Sequence, residues 1–282
     1  MAAVLLAISS AVLFGALAVA IRLATRRGAD PETGALVTTL IALLVCGSTA
    51  LVVQGDIDDL WLFLLAGMIA PGGSQILFFR AVRDIGPART TTLVGTAPLA
   101  AALIAIVVLA EPLRASLVAA TLLIVSGGVA LAGERVRPDT FRRIGVALAL
   151  AASALFAARD NVVRKLQVDS DVEPLAAAAG TLVGGGLVML AYLVAARPNI
   201  VKRLSIRAWL PSGVLFGVSY AALFEAYDRG RVTVVSPLVA TESLWGVAFA
   251  ALVLRRSELI GTRLVVGALL IVAGSALISV TR

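Results

Sequence analysis

A few ionisable and polar side chains sit inside stretches that are otherwise apolar, and those residues define the chemistry open to this chain. Glu242 is the most informative, the eleventh residue of the apolar run 232–253, flanked by Thr241 and Ser243. If that run crosses a bilayer, its carboxyl lies near the midplane, where an ionisable group faces a cavity or a partner. Two roles fit: a carboxylate that binds substrate or carries a coupling proton, or a structural Glu bonded to a neighbouring helix. Arg159, followed by Asp160 and Asn161, is a second such point, and Arg80 and Glu225 are two more. The chemistry is recognition by charge. Glu242 favours a cationic or amphipathic group, Arg80 and Arg159 a carboxylate or phosphate, and both together a zwitterion.

Catalysis finds little support in the inventory. Histidine is absent and Cys46 is the single cysteine, which removes an intrachain disulfide, a Cys/His zinc cluster and histidine acid–base chemistry. No Gly-x-x-x-x-Gly-Lys-Ser/Thr loop is present for ATP. The expectation is a protein that is not an enzyme and needs neither metal nor cofactor.

Other polar residues recur along two runs: Ser74, Gln75 and Arg80 in one, Ser219, Tyr220 and Glu225 in the other. They read either as faces lining a cavity or as interhelical hydrogen bonds. Trp245, one turn from Glu242, reads as a pocket wall or as core packing. Arg159 is the expected partner of Glu225, in a contact that would close one mouth. The alternative is that both side chains snorkel to the headgroups.

The elements that must position these residues are membrane spans. Apolar residues make up 60% of the chain and charged ones 15%, with a mean hydropathy of +1.01, too little polar surface for a soluble domain of this size. A crossing helix needs about 20 mostly apolar residues. Ten such runs are read near 2–21, 34–53, 60–79, 88–109, 115–133, 144–163, 175–195, 208–227, 232–253 and 264–280. The first follows no Lys or Arg and is followed by Arg22, Arg26 and Arg27, which suits a span better than a cleaved leader. Pro98 falls inside the fourth run and should kink it by removing a backbone hydrogen bond. Pro71, Pro211 and Pro237 interrupt or begin others. Gly213-x-x-x-Gly217 and Gly184-Gly185-Gly186 permit close helix contact; Gly267 and Gly274 mark a flat face for packing within the chain or for a dimer.

The net charge of +7 is not a nucleic-acid footprint, because the basic residues are scattered between apolar segments. It is a topology signal. Loops after the odd-numbered spans hold 16 of the 24 Lys/Arg, and the opposite side holds six. Positive-inside reasoning puts the richer side in the cytoplasm and both termini outside.

The chain also repeats itself with a period of about 145 residues. Leu122-Leu123-Ile124-Val125-Ser126-Gly127 returns as Leu269-Leu270-Ile271-Val272-Ala273-Gly274, and Phe79-Arg80-Ala81 as Phe224-Glu225-Ala226. Leu13-Phe14 followed by Arg22 returns as Leu155-Phe156 followed by Arg164. Arg159, Asp160 and Asn161 match Leu17, Ala18 and Val19, so polarity is added to one half only. Five spans per half is an odd number, so the second half enters from the opposite side. The expected architecture is all-α: ten transmembrane helices as two inverted five-helix repeats, residues 1–139 and 140–282. Inverted repeats suit alternating access, since exchanging the conformations of the halves turns a cavity from one side to the other.

These segments resemble the drug/metabolite transporter superfamily in its EamA-type ten-helix branch. The likeness is carried by Phe78-Phe79-Arg80-Ala81-Val82-Arg83, Glu111-Pro112-Leu113 and Gly127-Gly128, then Phe224-Glu225-Ala226-Tyr227, Pro237-Leu238, Glu242-Ser243-Leu244, Glu258-Leu259 and Gly274. It departs at Arg255-Arg256-Ser257, an extra residue before Glu258. The resemblance implies a multi-pass cell-membrane secondary transporter, monomer or homodimer, that exports or exchanges amino acids, sugars, nucleotide derivatives, polyamines or drugs. Amino-acid-like or drug-like metabolites leaving the cell are the expected substrates, with protons or a countersubstrate as coupling. A channel and an intramembrane enzyme are the competing classes.

Overall fold

A computed structural model describes residues 1–50, 59–100, 115–132, 141–197, 205–230, 235, 238–254 and 258–281. Glu111, Pro112, Pro237, Arg255, Arg256 and Ser257 lie outside them. The described part is helical: α1 (Ala2–Arg26), α2 (Pro31–Ala50), α3 (Leu60–Gly67), α4 (Ser74–Ile85), α5 (Pro87–Val94), α6 (Ala115–Ala132), α7 (Ile144–Asp169), α8 (Pro174–Ala196), α9 (Ile206–Arg229), α10 (Glu242–Phe249) and α11 (Thr262–Thr281). Six stretches are long and apolar enough to cross a membrane: Ala2–Arg26, Pro31–Ser48, Leu60–Ile85, Ile144–Asp169, Pro174–Ala196 and Ile206–Arg229. Val118–Leu131, Leu238–Leu254 and Thr262–Leu277 are shorter apolar helical stretches. The run expected at 88–109 is described only to residue 100.

Prolines and glycines set the interruptions. Between α3 and α4 a wide π-type turn, Met68–Gly73, holds Pro71, as expected where proline removes a ladder hydrogen bond. Pro211 is accommodated inside α9. The fourth run breaks at Gly95–Thr96, and Pro98 lies in the helical piece 97–100 that follows. The proline therefore belongs to the first turn after a break, where its missing N–H has no helical acceptor to lose.

Equivalent helices of the repeat meet each other, and they meet antiparallel. On α6 and α11, Gly127 lies against the Gly267 carbonyl and Ile271, while Gly274 lies against Ala120 and Ile124. Residue numbers rise on one helix as they fall on the other. The Gly267/Gly274 face is thus taken up by packing within the chain, since a Cβ at Gly274 would sit 2.6 Å from Ile124. The fourth and ninth runs also meet antiparallel, through non-equivalent halves: Thr91 of α5, before its break, faces Gly246 of α10, after its own, and Gly95 faces Ser243. The remaining helices follow suit: α1 packs on α9, and its repeat counterpart α7 packs on α4. Gly213 and Gly217 bring α9 onto Ile41 and Val45 of α2, and Gly185 brings α8 onto Pro71.

The halves also share a helix break. Thr96 N–H donates to the Leu93 carbonyl at 3.1 Å, and Thr241 N–H to that of Leu238 at 3.2 Å. Each hydroxyl donates to the same carbonyl at 2.6 Å. The Thr96 and Thr241 carbonyls then start the next helix, accepting from Leu99 and Leu244. Two breaks 145 residues apart, with one hydrogen-bond pattern, flank the contact between α5 and α10.

Candidate functional site

Glu242 is the first residue of α10, directly after the break at Thr241. It is 8% exposed, yet makes no hydrogen bond or ion pair among the described residues. Glycines let its helix come close to its neighbours. At Gly15 a Cβ would lie 2.7 Å from Trp245 and from the Gly246 backbone, so α1 and α10 touch backbone to backbone. Asp160 of α7 lies within electrostatic reach of Glu242.

Beside Glu242 stands an internally neutralised pair. Arg159 Nε is 2.8 Å from Asp160 Oδ1, with the arginine 3% and the aspartate 28% exposed. Arg159 Nη1 donates to the Tyr220 hydroxyl, and its guanidinium lies 5.1 Å from the Tyr220 ring centroid, a cation–π geometry. Thr181 Oγ1 donates toward the Ala178 carbonyl at 2.8 Å and toward the Tyr220 hydroxyl at 3.1 Å, so the Tyr220 oxygen accepts from both Thr181 and Arg159. Tyr227, two turns further along α9, is within electrostatic reach of Asp160, Arg159 and Glu242. Four helices thus converge on one polar cluster: α7, α8, α9 and α10.

Several expected site residues lie elsewhere. Arg159 and Glu225 do not pair. Glu225 is held by Arg229, four residues on along the same helix, the spacing that brings side chains together on one helix face. Arg159 is taken by its neighbour Asp160 and by Tyr220, which projects from α9 more than a turn before Glu225. Arg80 joins Glu32 at 3.5 Å, and Glu32 also meets Arg197 at 3.3 Å. That ionic group ties the start of α2 to α4 and the end of α8, away from Arg159. Trp245 stacks on Phe249, centroids 6.1 Å apart, and is 37% exposed. Ser74 and Gln75 are buried, and neither side chain has a hydrogen-bond partner in the described structure.

The repeat explains that last observation. Ser74 and Gln75 correspond to Ser219 and Tyr220. In the second half, Ser219 and Ser10 each donate a hydroxyl proton to the other's carbonyl at 2.9 Å, and Tyr220 has Arg159. The residues matching Ser10 and Arg159 are Ala152 and Leu17, which offer no hydrogen bond. The first half keeps the polar groups on α4 and, among the described residues, lacks their partners.

A second buried cluster lies where α1, α4 and α5 meet the segment before α11. Arg22 Nε is 2.8 Å from Glu258 Oε1, with Glu258 fully buried. Arg22 also donates to the Arg83 carbonyl, and Arg89 donates to the Glu258 carbonyl at 3.0 Å. The Glu258 carboxylate rests on Gly86, whose φ of +85° and lack of a side chain both suit glycine. A similar bond recurs in the other half: Arg164, matching Arg22, donates to the Tyr227 carbonyl at 2.8 Å, one position before the residue that matches Arg83.

Residue types alone missed Tyr227, Thr181 and the paired breaks. A signal for the breaks exists, because Thr96-Ala97-x-Leu99 returns as Thr241-Glu242-x-Leu244 at the 145-residue offset that relates Phe79 to Phe224. It sets Glu242 opposite Ala97.

The family model for the EamA-like transporter family matches residues 1–132 and again 143–280. The chain belongs to the EamA-like transporter family. It is a membrane transporter of small molecules by that membership, built in the family's two-repeat layout. Among solved structures, 21 chains match it. One, titled only "Crystal structure of protein", is 20% identical over 98% of this EamA-like chain and 95% of its own, with a TM-score of 0.65, a likeness of fold. No curated protein matches by sequence.

Proposed function

We propose that this EamA-like chain is a ten-span secondary carrier of small organic metabolites, multi-pass in the cell membrane, that works by alternating access between two inverted halves. The observation that supports the reading is the antiparallel meeting of the repeat-equivalent α6 and α11, together with matched breaks at Thr96 and Thr241, the second beside Glu242, which makes no ion pair among the described residues. Antiparallel contact between repeat-equivalent helices is what a two-fold axis in the membrane plane requires. Matched breaks let each half adopt the other's conformation. Drug-like or amino-acid-like compounds are the proposed cargo, moving outward against protons or a countersubstrate, with both termini outside by the Lys/Arg bias.

Counterflow in proteoliposomes tests this reading. Vesicles loaded with excess unlabelled substrate should transiently concentrate labelled substrate, because one site serves both sides in turn. Simple downhill equilibration, insensitive to internal substrate, would identify a channel and refute the carrier.

A further inference from the structure

We propose that Glu258 is the bolt of a latch closing the cytoplasmic mouth: its ion pairs with Arg22 and Arg89 join the two halves there and part when that mouth opens. The inference deepens the carrier reading and rests on it. Among the described residues, the ion pairs that join residues 1–132 to residues 143–280 gather at one end of the helices. Arg22 Nε lies 2.8 Å from Glu258 Oε1, and Arg89 Nη1 lies 3.9 Å from Oε2. Arg197 reaches Glu32 at 3.3 Å and Asp30 at 3.9 Å. The end of α4 touches both bridges and makes them one structure. Arg80 pairs with Glu32, and the Arg83 carbonyl accepts from Arg22. Chain order agrees, since α1 ends and α2 begins on that face, which the Lys/Arg bias assigns to the cytoplasm.

The opposite end is held differently. Arg229 pairs with Glu225 and Arg159 with Asp160, each on its own helix, and Arg164 donates to the Tyr227 carbonyl within the same half. There the halves meet through apolar side chains, with Ala7 clustered against Leu223, Ala226 and Tyr227, and through Ser10 and Ser219. The two ends thus differ in kind. Apolar contact is non-directional, whereas a buried ion pair resists partial separation, because each charge would be stranded in low dielectric. A mouth wide enough to admit water solvates both partners at once. Such a contact favours two discrete states, closed and open. Glu258 is fully buried against arginines of the other half; Arg197, 45% exposed, is the outer and weaker bridge.

Cysteine labelling tests the latch without a substrate. Ala88 is buried in the core that both halves share on the latched face, and Ala7 is buried at the other end. The full chain carries Cys46→Ala and is held in nanodiscs. Adding Glu258→Gln or Arg22→Gln should make Ala88→Cys react with a maleimide about tenfold or more faster, while Ala7→Cys should not speed up. Arg80→Gln breaks an ion pair of the same face within one half and should leave Ala88→Cys at its starting rate. Thermal melting confirms that each variant is folded. Equal acceleration at both reporters marks general loosening; that result, no acceleration at Ala88→Cys, or an Arg80→Gln effect as large as that of Glu258→Gln overturns the proposal. Should Ala88→Cys fail to fold, pulsed EPR between spin labels at Arg27→Cys and Thr262→Cys, both exposed, takes its place. Longer distances in Glu258→Gln then support the latch, and unchanged ones overturn it. Counterflow separates the two readings. Reporter asymmetry without counterflow would sink the carrier and leave the closure; counterflow with unmoved reporters would do the reverse.

Discussion

Arg159 and Asp160 show how far one residue's neighbours decide its role. Adjacent in sequence, they form an ion pair between a nearly buried arginine and a part-exposed aspartate, and Tyr220 caps the arginine from α9. Removing one partner of such a pair costs more than removing both, because a lone charge is left in low dielectric. Arg159→Met should thus destabilise the protein by roughly 3 kcal/mol and abolish exchange. Arg159→Met with Asp160→Asn should recover most of the melting temperature in detergent and little of the transport. A single variant as stable as the double would show that Asp160 is solvated and the pair unimportant. Glu258 is held from two sides, by Arg22 and Arg89. Glu258→Gln should lower stability by about 2 kcal/mol. Gly86→Ala should cost a comparable amount, about 1–2 kcal/mol, through its positive φ. Differential scanning fluorimetry reads both; no shift in either would remove the cluster from the set of stabilising contacts.

At the scale of elements, the paired breaks deserve a paired experiment. Thr96 and Thr241 each satisfy a carbonyl freed by an interrupted helix. Valine at either position keeps the volume and drops the hydroxyl, so each change should cost about 1 kcal/mol, visible as similar falls in melting temperature. Transport should separate them. Thr241→Val perturbs the turn that aims Glu242 and should slow exchange severalfold, whereas Thr96→Val, followed by Ala97, should act through stability alone. Equal effects on exchange would mean that the second-half break has no special part. Close approach sets the other limit on these helices. Gly15 packs onto the α10 backbone, and a larger residue there would force apart the helices that frame the site.

For the whole molecule, inversion makes the strongest commitment. Gly28 and Asp171 occupy corresponding turns, after α1 and α7, and both are exposed. In a Cys46→Ala background, single cysteines at these two positions should differ toward a membrane-impermeant maleimide: Asp171→Cys should react in whole cells, from outside, and Gly28→Cys only after permeabilisation, from the cytoplasm. Labelling from the same face would place the halves in parallel and remove the two-fold basis of alternating access, whatever the substrate. The unequal distribution of polar residues belongs to this scale as well. Leu17 and Ala152 stand where Arg159 and Ser10 have their counterparts, so one backbone plan carries a charged cluster in one half and, in the other, Ser74 and Gln75 with no side-chain partner among the described residues.

Hydropathy and the 145-residue repeat were sufficient for the membrane class, the helical composition and the two-repeat layout. Each depends on local composition or on self-similarity, which a one-dimensional pattern records. Partner choice is different. Nothing in residue types distinguishes Glu225 from Asp160 as the mate of Arg159, nor separates Arg80 from the site and ties it to Glu32. Helix rotation and depth settle such pairings, and both follow from glycine contacts and breaks that bring distant segments together. The linear order of the chain supplied a carboxylate in an apolar run; only tertiary packing decided that, among the described residues, no arginine pairs with it and that Arg159 is taken by its own neighbour Asp160.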